Sequence, residues 1–562
     1  MDQRRWKAPL WSFVIVVHML SMEIQSTATN TPNVIVMVMD DMGWGDLGVF
    51  GHPSKETPNL DKMAAEGALL PDFYSGNPLC SPSRASFLTG RLPIRNGFYS
   101  DNAHARNAYT PQNIVGGIPE CEILLPEILK KAGYRSKIIG KWHLGHREQF
   151  LPLKHGFDEF YGSTNCHFGP YDDKETPNIP VFRNGEMIGR YYEEFEINQK
   201  TGESNMTQLY IEEGLKFIQE QNSAGKPFFL YWTPDATHTP LYASKDFLGN
   251  SQRGLYGDAV MELDSGVGRI LALLKDLKID NNTLVFFISD NGAATYEKEN
   301  GGSTGPFLCG KQTTFEGGMR EPTIAWWPGK IQPGLILHQL GSIMDLFTTA
   351  IKLAGLEVPQ DRIIDGTNLL PALLKQEINT SKSIFYYRGN ELMAVRQGLY
   401  KAHLWTWTNS IQEFIHQFIE KMIKSETKPI IPTPKSFEVL SFRRQFVKIS
   451  DDSDNVNFCP GENVTGVMSH QQVNHTDSPL LFNLGLDPGE KYPISNTSAV
   501  YKSVMPGLQA VVQEHKKLLV PGTPQLNLCD RAVEHWAPPG CEKLHKCLPV
   551  PKSKPVKCVW PH

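Results

Sequence analysis

Runs of consecutive apolar residues alternate along this chain with segments in which apolar residues recur at helical spacing. Residues 33–39 are almost entirely apolar, which is typical of a strand buried on both faces of a parallel sheet. Similar runs predict further strands at 137–140, 228–232 and 284–289. A helix is predicted over 126–131, because proline suits its start and Gly133 its stop. A second helix is predicted from residues that share one face: Val260, Leu263, Val267, Ile270, Leu271 and Leu274.

Strands that alternate with helices predict an α/β domain with a mostly parallel sheet, here over residues 28–380. Beyond it, shorter apolar runs at 383–387 and 399–405 predict a smaller antiparallel domain over 381–500. The last segment, 501–562, is rich in proline, lysine and cysteine, and we expect a tail held together by disulfides.

The first 27 residues have the pattern of a secretory signal peptide. Arg4, Arg5 and Lys7 precede an apolar stretch over about 10–20, and small residues follow at 26–28. A membrane anchor is the alternative, but this stretch is too short to span a bilayer, and no other span is predicted. Six sequons agree with the secretory route and are predicted glycosylation sites: Asn205, Asn281, Asn379, Asn463, Asn474 and Asn496.

Composition narrows the function classes only slightly. The content of 40% hydrophobic and 20% charged residues is ordinary for a globular protein. A formal charge of −5 without a basic stripe argues against nucleic-acid binding. Nine cysteines are too few for a disulfide scaffold, and if one has another task the other eight can all pair. The four cysteines of the tail are expected to form disulfides: Cys529, Cys541, Cys547 and Cys558.

Chemically functional residues follow four of the predicted strands. They are Asp40, Asp41, Lys141, His143, His238, Asp290 and Asn291. Because ligands of α/β folds bind beyond the carboxyl ends of the strands, these residues predict an active site at one edge of the sheet. The acidic and amide side chains offer the hard oxygen ligands that calcium prefers, whereas zinc would require more histidine or thiolate ligands. Each Asp or Asn pair could instead form a turn, but two pairs behind two strands favour a metal site.

The segment from Cys80 to Gly90 carries the densest chemical signal. Ser81 is predicted as the N-cap of a helix, Pro82 as its first residue and Gly90 as its stop. Cys80 would then lie at a helix N-terminus, where the backbone dipole favours an anion, with Arg84 one turn along. The alternative is a half-cystine or a buried thiol.

These residues resemble signatures of the formylglycine-dependent (type I) sulfatase family. Cys-x-Pro-Ser-Arg begins at Cys80 and is followed by Leu-Thr-Gly, and residues 133–145 are similar to a second signature that contains Lys141 and His143. Further similar segments follow in the family's order, around Asp40, His238 and Asp290, at Gly310-Lys311 and at 316–322.

The resemblance implies an alkaline-phosphatase-like fold and a definite chemistry. Cys80 would be oxidised to Cα-formylglycine by the formylglycine-generating enzyme and would lie beside Ca²⁺ bound by Asp40, Asp41, Asp290 and Asn291. One hydroxyl of the hydrated aldehyde, activated by the metal and Asp290, would attack sulfur. His238, with Lys311, would protonate the leaving oxygen, and His143 would deprotonate the second hydroxyl to expel sulfate. Arg84, Lys141 and Lys311 would supply positive charge, and His104 and Tyr109 are predicted substrate contacts.

A narrower resemblance, at 403–410 and 536–543, is to lysosomal sulfatases that degrade keratan and chondroitin sulfate. It implies 6-sulfate esters of N-acetylgalactosamine and galactose as substrates, a lysosomal location and a homodimer. Cys309 and Cys459 are also assigned to disulfides. The segment 411–456 is longer than this resemblance implies. It is either a surface insertion or an error in the gene model.

Three other functions stay open on the sequence alone. One is a sulfatase for aryl or other glycosaminoglycan sulfates. Another is a phosphatase or phosphodiesterase of the same superfold, although such enzymes use Ser or Thr where this chain has Cys80. The third is a glycan-binding protein whose active site is inactive, which the intact motifs disfavour.

Overall fold

The structure is a computed structural model that describes residues 31–103, 106–408, 459, 464, 467 and 471–559. The predicted signal peptide, the segment 411–456, His104 and Asn463 lie outside the described residues. Within the described ranges, no helix combines the length and apolarity that crossing a membrane requires.

The larger part of the chain alternates strands with helices. Its strands are β1 (Asn33–Met39), β2 (Ala68–Leu69), β3 (Phe73–Tyr74), β4 (Arg135–Gly140), β5 (Glu159–Ser163), β6 (Pro180–Arg183), β7 (Glu186–Arg190), β8 (Phe228–Thr233), β9 (Thr283–Ser289), β10 (Ile324–Trp326), β11 (Leu335–Ile336) and β12 (Gly341–Ser342). Its helices are α1 (Pro58–Glu66), α2 (Cys80–Thr89), α3 (Pro93–Asn96), α4 (Leu125–Leu129), α5 (Met206–Ser223), α6 (Gly254–Asp276), α7 (Glu316–Met319), α8 (Ile343–Leu353) and α9 (Leu370–Lys375).

A ten-stranded sheet organises this part, in the order β11-β2-β10-β9-β1-β8-β4-β5-β6-β7. The five strands from β9 to β5 are mutually parallel, whereas β10, β6 and β7 join antiparallel. The four strands predicted for the α/β domain all belong to this parallel centre. The predicted α/β class with a mostly parallel sheet is therefore confirmed.

Alternate residues of β1 enter two different cores, one on each face of the sheet. Val34, Val36 and Val38 belong to the core that contains residues of α2 and α8. Ile35, Met37 and Met39 belong to the core that contains residues of α5 and α6, including the predicted apolar stripe of α6. Burial on both faces explains why the strand is continuously apolar.

The C-terminal part contains a four-stranded antiparallel sheet. Its elements are β13 (Ser383–Arg388), β14 (Glu391–Gln397), β15 (Tyr400–His403), β16 (Trp405–Thr406), β17 (Val473–Asn474), β18 (Leu480–Asn483), α10 (Ala499–Leu518), β19 (Leu528–Cys529), α11 (Arg531–Glu534) and β20 (Val556–Lys557). The sheet order is β13-β14-β15-β18, and α10 packs on it. The final tail returns to the larger part, where the Pro539 carbonyl accepts a hydrogen bond from the Met187 amide at 2.7 Å.

Three disulfides join six cysteines: Cys309–Cys459, Cys529–Cys558 and Cys541–Cys547. They comprise the six cysteines assigned to disulfides from the sequence. The expectation that all eight cysteines other than Cys80 can pair is wrong. Cys121 is exposed, whereas Cys166 is buried, and neither forms a disulfide. Both therefore remain thiols, like Cys80.

A buried ionic network connects the larger part to the antiparallel sheet. Glu490 is fully buried and accepts from Lys401 at 2.9 Å, from His403 at 2.7 Å and from the backbone amide of Glu316 at 2.7 Å. Burial alone would raise the pKa of Glu490, but Lys401 and His403 hold it at about 2. Because this pKa is depressed in the folded protein, the network stabilises the fold above about pH 4.5 and weakens as the pH falls towards 2.

We expect Glu490→Gln to lower the free energy of unfolding by about 3 kcal/mol at pH 7, because it leaves His403 without its carboxylate and Lys401 with that of Glu316 alone. Chemical denaturation at pH 7 and at pH 3 measures the change, and the difference from wild type should shrink at the lower pH. Glu357→Gln, at an exposed ion pair with Lys352, should cost less than about 0.5 kcal/mol. Equal losses in the two variants would contradict this account.

Candidate functional site

The carboxyl ends of four parallel strands bring the predicted site residues together. Asp40 and Asp41 follow β1, and Asp290 follows β9, whose end is joined to β1 by a hydrogen bond from the Asp290 amide to the Met39 carbonyl at 3.0 Å. Lys141 and His143 follow β4, and His238 lies in the loop after β8. These residues, with Asn291, Cys80, Arg84 and Lys311, are at most 5% exposed. The site is therefore a buried polar cluster at the edge that the sequence indicates.

Each carboxylate of the cluster has a cationic partner. Lys141 Nζ donates to both oxygens of Asp40, at 2.9 and 2.7 Å, and Lys311 Nζ donates to Asp41 Oδ2 at 2.6 Å. Arg84 Nη2 lies 2.7 Å from Asp290 Oδ2 and 3.4 Å from Asp40 Oδ1. The three carboxylates and three cations balance in formal charge, so any bound cation would leave the site positive.

Arg84 is fixed on every side although it is completely buried. Its Nε donates to Asp290 Oδ2 at 2.9 Å, and its Nη1 donates to the Lys141 carbonyl at 3.1 Å and to the Thr233 hydroxyl. Burial would lower the pKa of Arg84, but Asp290 raises it well above its ordinary value. The guanidinium is thus a permanent positive charge that joins the ends of three strands.

Cys80 begins α2 and faces the carboxylates. Its sulfur lies 3.9 Å from Asp41 Oδ1, and burial raises the pKa of the thiol. The predicted N-cap is wrong: Leu79 is the N-cap, and Ser81 lies inside the helix. The Ser81 hydroxyl instead lies 2.9 Å from the Thr110 hydroxyl and accepts from the Thr110 amide at 3.1 Å. Gly90 ends the helix in the left-handed region, as its sequence position indicates.

The oxygen atoms of the cluster fit a divalent cation. One ligand atom each from Asp40, Asp41, Asp290 and Cys80 lie within 4.8 Å of one another. Asn291 donates through Nδ2 to Asp41, yet its buried Oδ1 has no hydrogen-bond partner among the described residues. Burial raises the pKa of Asp290 to about 7, with Asp40 adding to the rise and Arg84 opposing it. Crowded carboxylates, with an amide oxygen that has no partner in the described part of the chain, are a donor set that suits a hard cation.

The two histidines of the cluster differ in their surroundings. Burial, Lys141 and Arg84 hold the pKa of His143 well below its ordinary value, and neither of its ring nitrogens has a hydrogen-bond partner in the described part of the chain. His238 Nδ1 lies 2.6 Å from the Thr239 carbonyl and therefore carries a proton, while Nε2 lies 3.6 Å from Asp41 Oδ2. Burial and Lys311 lower the pKa of His238 to about 3.

Other residues complete the surroundings of the cluster. The Tyr109 ring is 6.3 Å from that of His143, so this predicted substrate contact lies beside the site, whereas His104 lies outside the described residues. Cys166, whose thiol lies 3.6 Å from Asp40 Oδ2, and the neighbouring His167 were not among the predicted site residues. Both follow β5, a fifth parallel strand, so the same strand-end rule would have found them had that strand been predicted.

Five of the six sequons lie within the described residues. Asn205, Asn281, Asn379, Asn474 and Asn496 are all exposed, as attachment of a glycan requires. Their glycosylation stays a prediction.

Two family models match the chain. The model described as "Sulfatase" matches residues 32–356, which include every residue of the cluster. A second model, described as "C-terminal region of aryl-sulfatase", matches residues 440–549.

Individual proteins are similar over nearly the whole chain. The sequence is 62% identical over 536 residues to an N-acetylgalactosamine-6-sulfatase of Canis lupus familiaris, covering 95% of each chain. It is 61% identical over 538 residues to the Homo sapiens protein of that name, covering 96% of this chain and 95% of the relative. Among solved structures, the PsFucS1 sulfatase from Pseudoalteromonas sp. superposes with a TM-score of 0.69 at 27% identity, covering 91% of this chain and 94% of the other.

Proposed function

The chain belongs to the sulfatase family, and from that premise we propose that it hydrolyses 6-sulfate esters of N-acetylgalactosamine and galactose in chondroitin and keratan sulfate. The membership confirms the family resemblance and makes the protein a sulfuric ester hydrolase. The observation that carries the substrate proposal is the identity of 61–62% to relatives named N-acetylgalactosamine-6-sulfatase along almost their full length.

We propose that Asp40, Asp41, Asp290 and Asn291 hold Ca²⁺, together with the side chain derived from Cys80. Bound calcium would supply positive charge for the anionic oxygens of a sulfate group. Support comes from the clustered carboxylates and from the Asn291 Oδ1 atom, which is buried without a hydrogen-bond partner within the described residues. Hard oxygen donors at irregular loop positions suit calcium better than magnesium.

We expect Asn291→Leu to weaken calcium binding at least about tenfold, because it removes one oxygen donor while keeping the side chain's size. Calorimetric titration with Ca²⁺ after chelation measures the affinity. Asn33→Leu is the matched control, since Asn33 is a buried asparagine at the opposite end of β1. A variant at position 291 that binds calcium as tightly as the Asn33 variant would contradict the assignment.

We propose that Cys80 acts after conversion to Cα-formylglycine, whose hydrated aldehyde supplies the attacking hydroxyl. The surrounding residues support such a role. Arg84, Lys141 and Lys311 hold fixed positive charges around the position of Cys80, where they can neutralise sulfate oxygens without reorganising. The N-terminus of α2 adds the partial positive charge of its free backbone amides.

We assign proton transfers to the two histidines and Lys311. Both ring nitrogens of His143 lack a hydrogen-bond partner within the described ranges and its pKa is lowered, so it can accept a proton as sulfate leaves. His238 presents Nε2 to the site and can pass a proton to the leaving oxygen once the negative charge of a sulfate ester favours its protonated form. Lys311, which donates to Asp41 at 2.6 Å, is the second donor available for that oxygen.

Hydrolysis of defined oligosaccharides tests the substrate proposal. The purified protein should release sulfate from galactose 6-sulfate and N-acetylgalactosamine 6-sulfate ends of keratan and chondroitin oligosaccharides. The 4-sulfated isomers and a matching phosphate ester serve as controls. Faster hydrolysis of the 4-sulfates or of a simple aryl sulfate would favour another sulfatase specificity, and faster phosphate release would favour a phosphatase of the same superfold.

We further propose a lysosomal enzyme that is a homodimer and is modified by the formylglycine-generating enzyme in the secretory pathway. Its proposed parts are a signal peptide over 1–27, a catalytic domain over 28–380, an antiparallel domain over 381–500 and a tail over 501–562. The sequons and the disulfides support passage through an oxidising compartment.

A further inference from the structure

His167 is buried just outside the catalytic cluster and is bound at both of its ring nitrogens. Nδ1 lies 2.7 Å from Asp235 Oδ2, and Nε2 lies 2.7 Å from the Pro240 carbonyl oxygen. Both His167 and Asp235 are fully buried. Both ring nitrogens of this buried histidine are therefore satisfied, and two partners fix the orientation of its ring.

The partners of His167 define its charge. The Pro240 carbonyl can only accept, so Nε2 carries a proton. Asp235 accepts from the Tyr242 hydroxyl at 2.7 Å and faces the Tyr191 hydroxyl at 3.4 Å, which are the surroundings of an ionised carboxylate. Nδ1 therefore also donates, and the ring is an imidazolium paired with Asp235. In agreement, burial would lower the pKa of His167, but Asp235 raises it above its ordinary value.

The two acceptors of His167 lie on either side of His238 in sequence. The segment 235–240 turns through a hydrogen bond from the His238 amide to the Asp235 carbonyl at 3.1 Å. One imidazolium thus joins both ends of the loop that presents His238. Phe168, the next residue, packs edge-on against the His238 ring at 5.1 Å between ring centroids. His167 and Phe168 together restrict where His238 Nε2 can point.

We propose that His167 is a positioning residue, whose imidazolium clamps the 235–240 loop through Asp235 and Pro240 and holds His238 towards the leaving oxygen of the substrate. This inference rests on the proposed sulfatase function and on the role assigned to His238 within it. A misplaced His238 impairs the reaction most when the leaving oxygen needs a proton. A sugar alkoxide is such a leaving group, whereas a nitrophenolate departs unaided.

Leaving-group dependence therefore tests the clamp. His167→Gln should lower kcat on a galactose 6-sulfate oligosaccharide about 10- to 100-fold, while kcat on 4-nitrophenyl sulfate falls less than about threefold. His238→Gln should show the same selectivity, and adding His167→Gln to it should cause little further loss. His515→Gln is the control, because it removes another buried histidine, which is hydrogen-bonded to Tyr387 in the C-terminal part. It should leave the ratio of kcat on the two substrates unchanged.

Equal losses on the two substrates, or additive losses in the double variant, would overturn the clamp. If His167→Gln does not fold, Asp235→Asn keeps the shape of the partner, removes its charge and should show the same selectivity to a smaller extent. Equal losses of kcat on the two substrates in the Asp235→Asn variant would also overturn the proposal. Wild-type protein that hydrolyses neither sulfate would instead refute the proposed function, so the two failures are distinguishable.

Discussion

Cys80→Ser is expected to lose sulfate-ester turnover by about 10⁴-fold or more while its thermal unfolding stays within a few degrees of wild type. Serine matches the buried cysteine closely in size, so α2 and the surrounding ion pairs keep their positions. A serine hydroxyl beside the three fixed cations can still attack sulfur. It carries no second hydroxyl with which to expel sulfate, so at most one turnover follows.

Release of sulfate over many turnovers, measured against protein concentration, checks this expectation. Cys121→Ser is the matched control, because it removes an exposed cysteine without a disulfide and should leave turnover unchanged. Repeated turnover by Cys80→Ser would refute the assigned nucleophile. Loss of activity in the Cys121 variant would show instead that thiol loss in general is harmful.

Arg84→Gln has the second-largest expected effect, because it combines instability with loss of catalysis. Removing the guanidinium leaves Asp290 and Asp40 buried without their shared cation, at a cost of about 3–5 kcal/mol in the free energy of unfolding. It also removes one fixed positive charge beside Cys80, which should lower kcat by about 10²- to 10³-fold in the protein that remains folded.

Denaturation curves and kcat per folded molecule separate the two effects. Arg190→Gln is the control, since Arg190 is also buried but lies on the edge strand β7 and pairs with Asp173, which is not a residue of the cluster. It should destabilise the protein without changing kcat. An Arg84 variant that folds and retains wild-type kcat would remove Arg84 from the mechanism.

Much of the fold and the site could be predicted because one physical rule connects them. Strands buried on both faces are continuously apolar, which identified β1, β4, β8 and β9. Adjacent parallel strands end at the same edge of the sheet. The Asp41 amide therefore donates a hydrogen bond to Asp290, although the two residues are 249 positions apart in the chain.

The rest depends on contacts between distant segments, which local patterns do not encode. Ser81 has the chemistry of an N-cap, but its hydroxyl is hydrogen-bonded to Thr110, and Leu79 occupies the N-cap position. Cys166 and His167 were not predicted as site residues because β5 is short and contains glycine, which weakens the strand pattern. Spacing along the chain does not show which cation pairs with which carboxylate, such as Lys141 with Asp40. It also does not show that the tail returns to contact Met187.

The identity of the reactive group at position 80 is the central claim, and mass spectrometry tests it most directly. Tryptic cleavage after Lys62 and Arg84 yields peptide 63–84, in which Cys80 is the only cysteine. In active protein isolated from a secretory pathway, we predict a peptide mass in which the –CH₂SH side chain is replaced by –CHO, and a product that reacts with an aldehyde-specific hydrazide. A fully active preparation whose peptide 63–84 carries only an unmodified thiol would contradict the account.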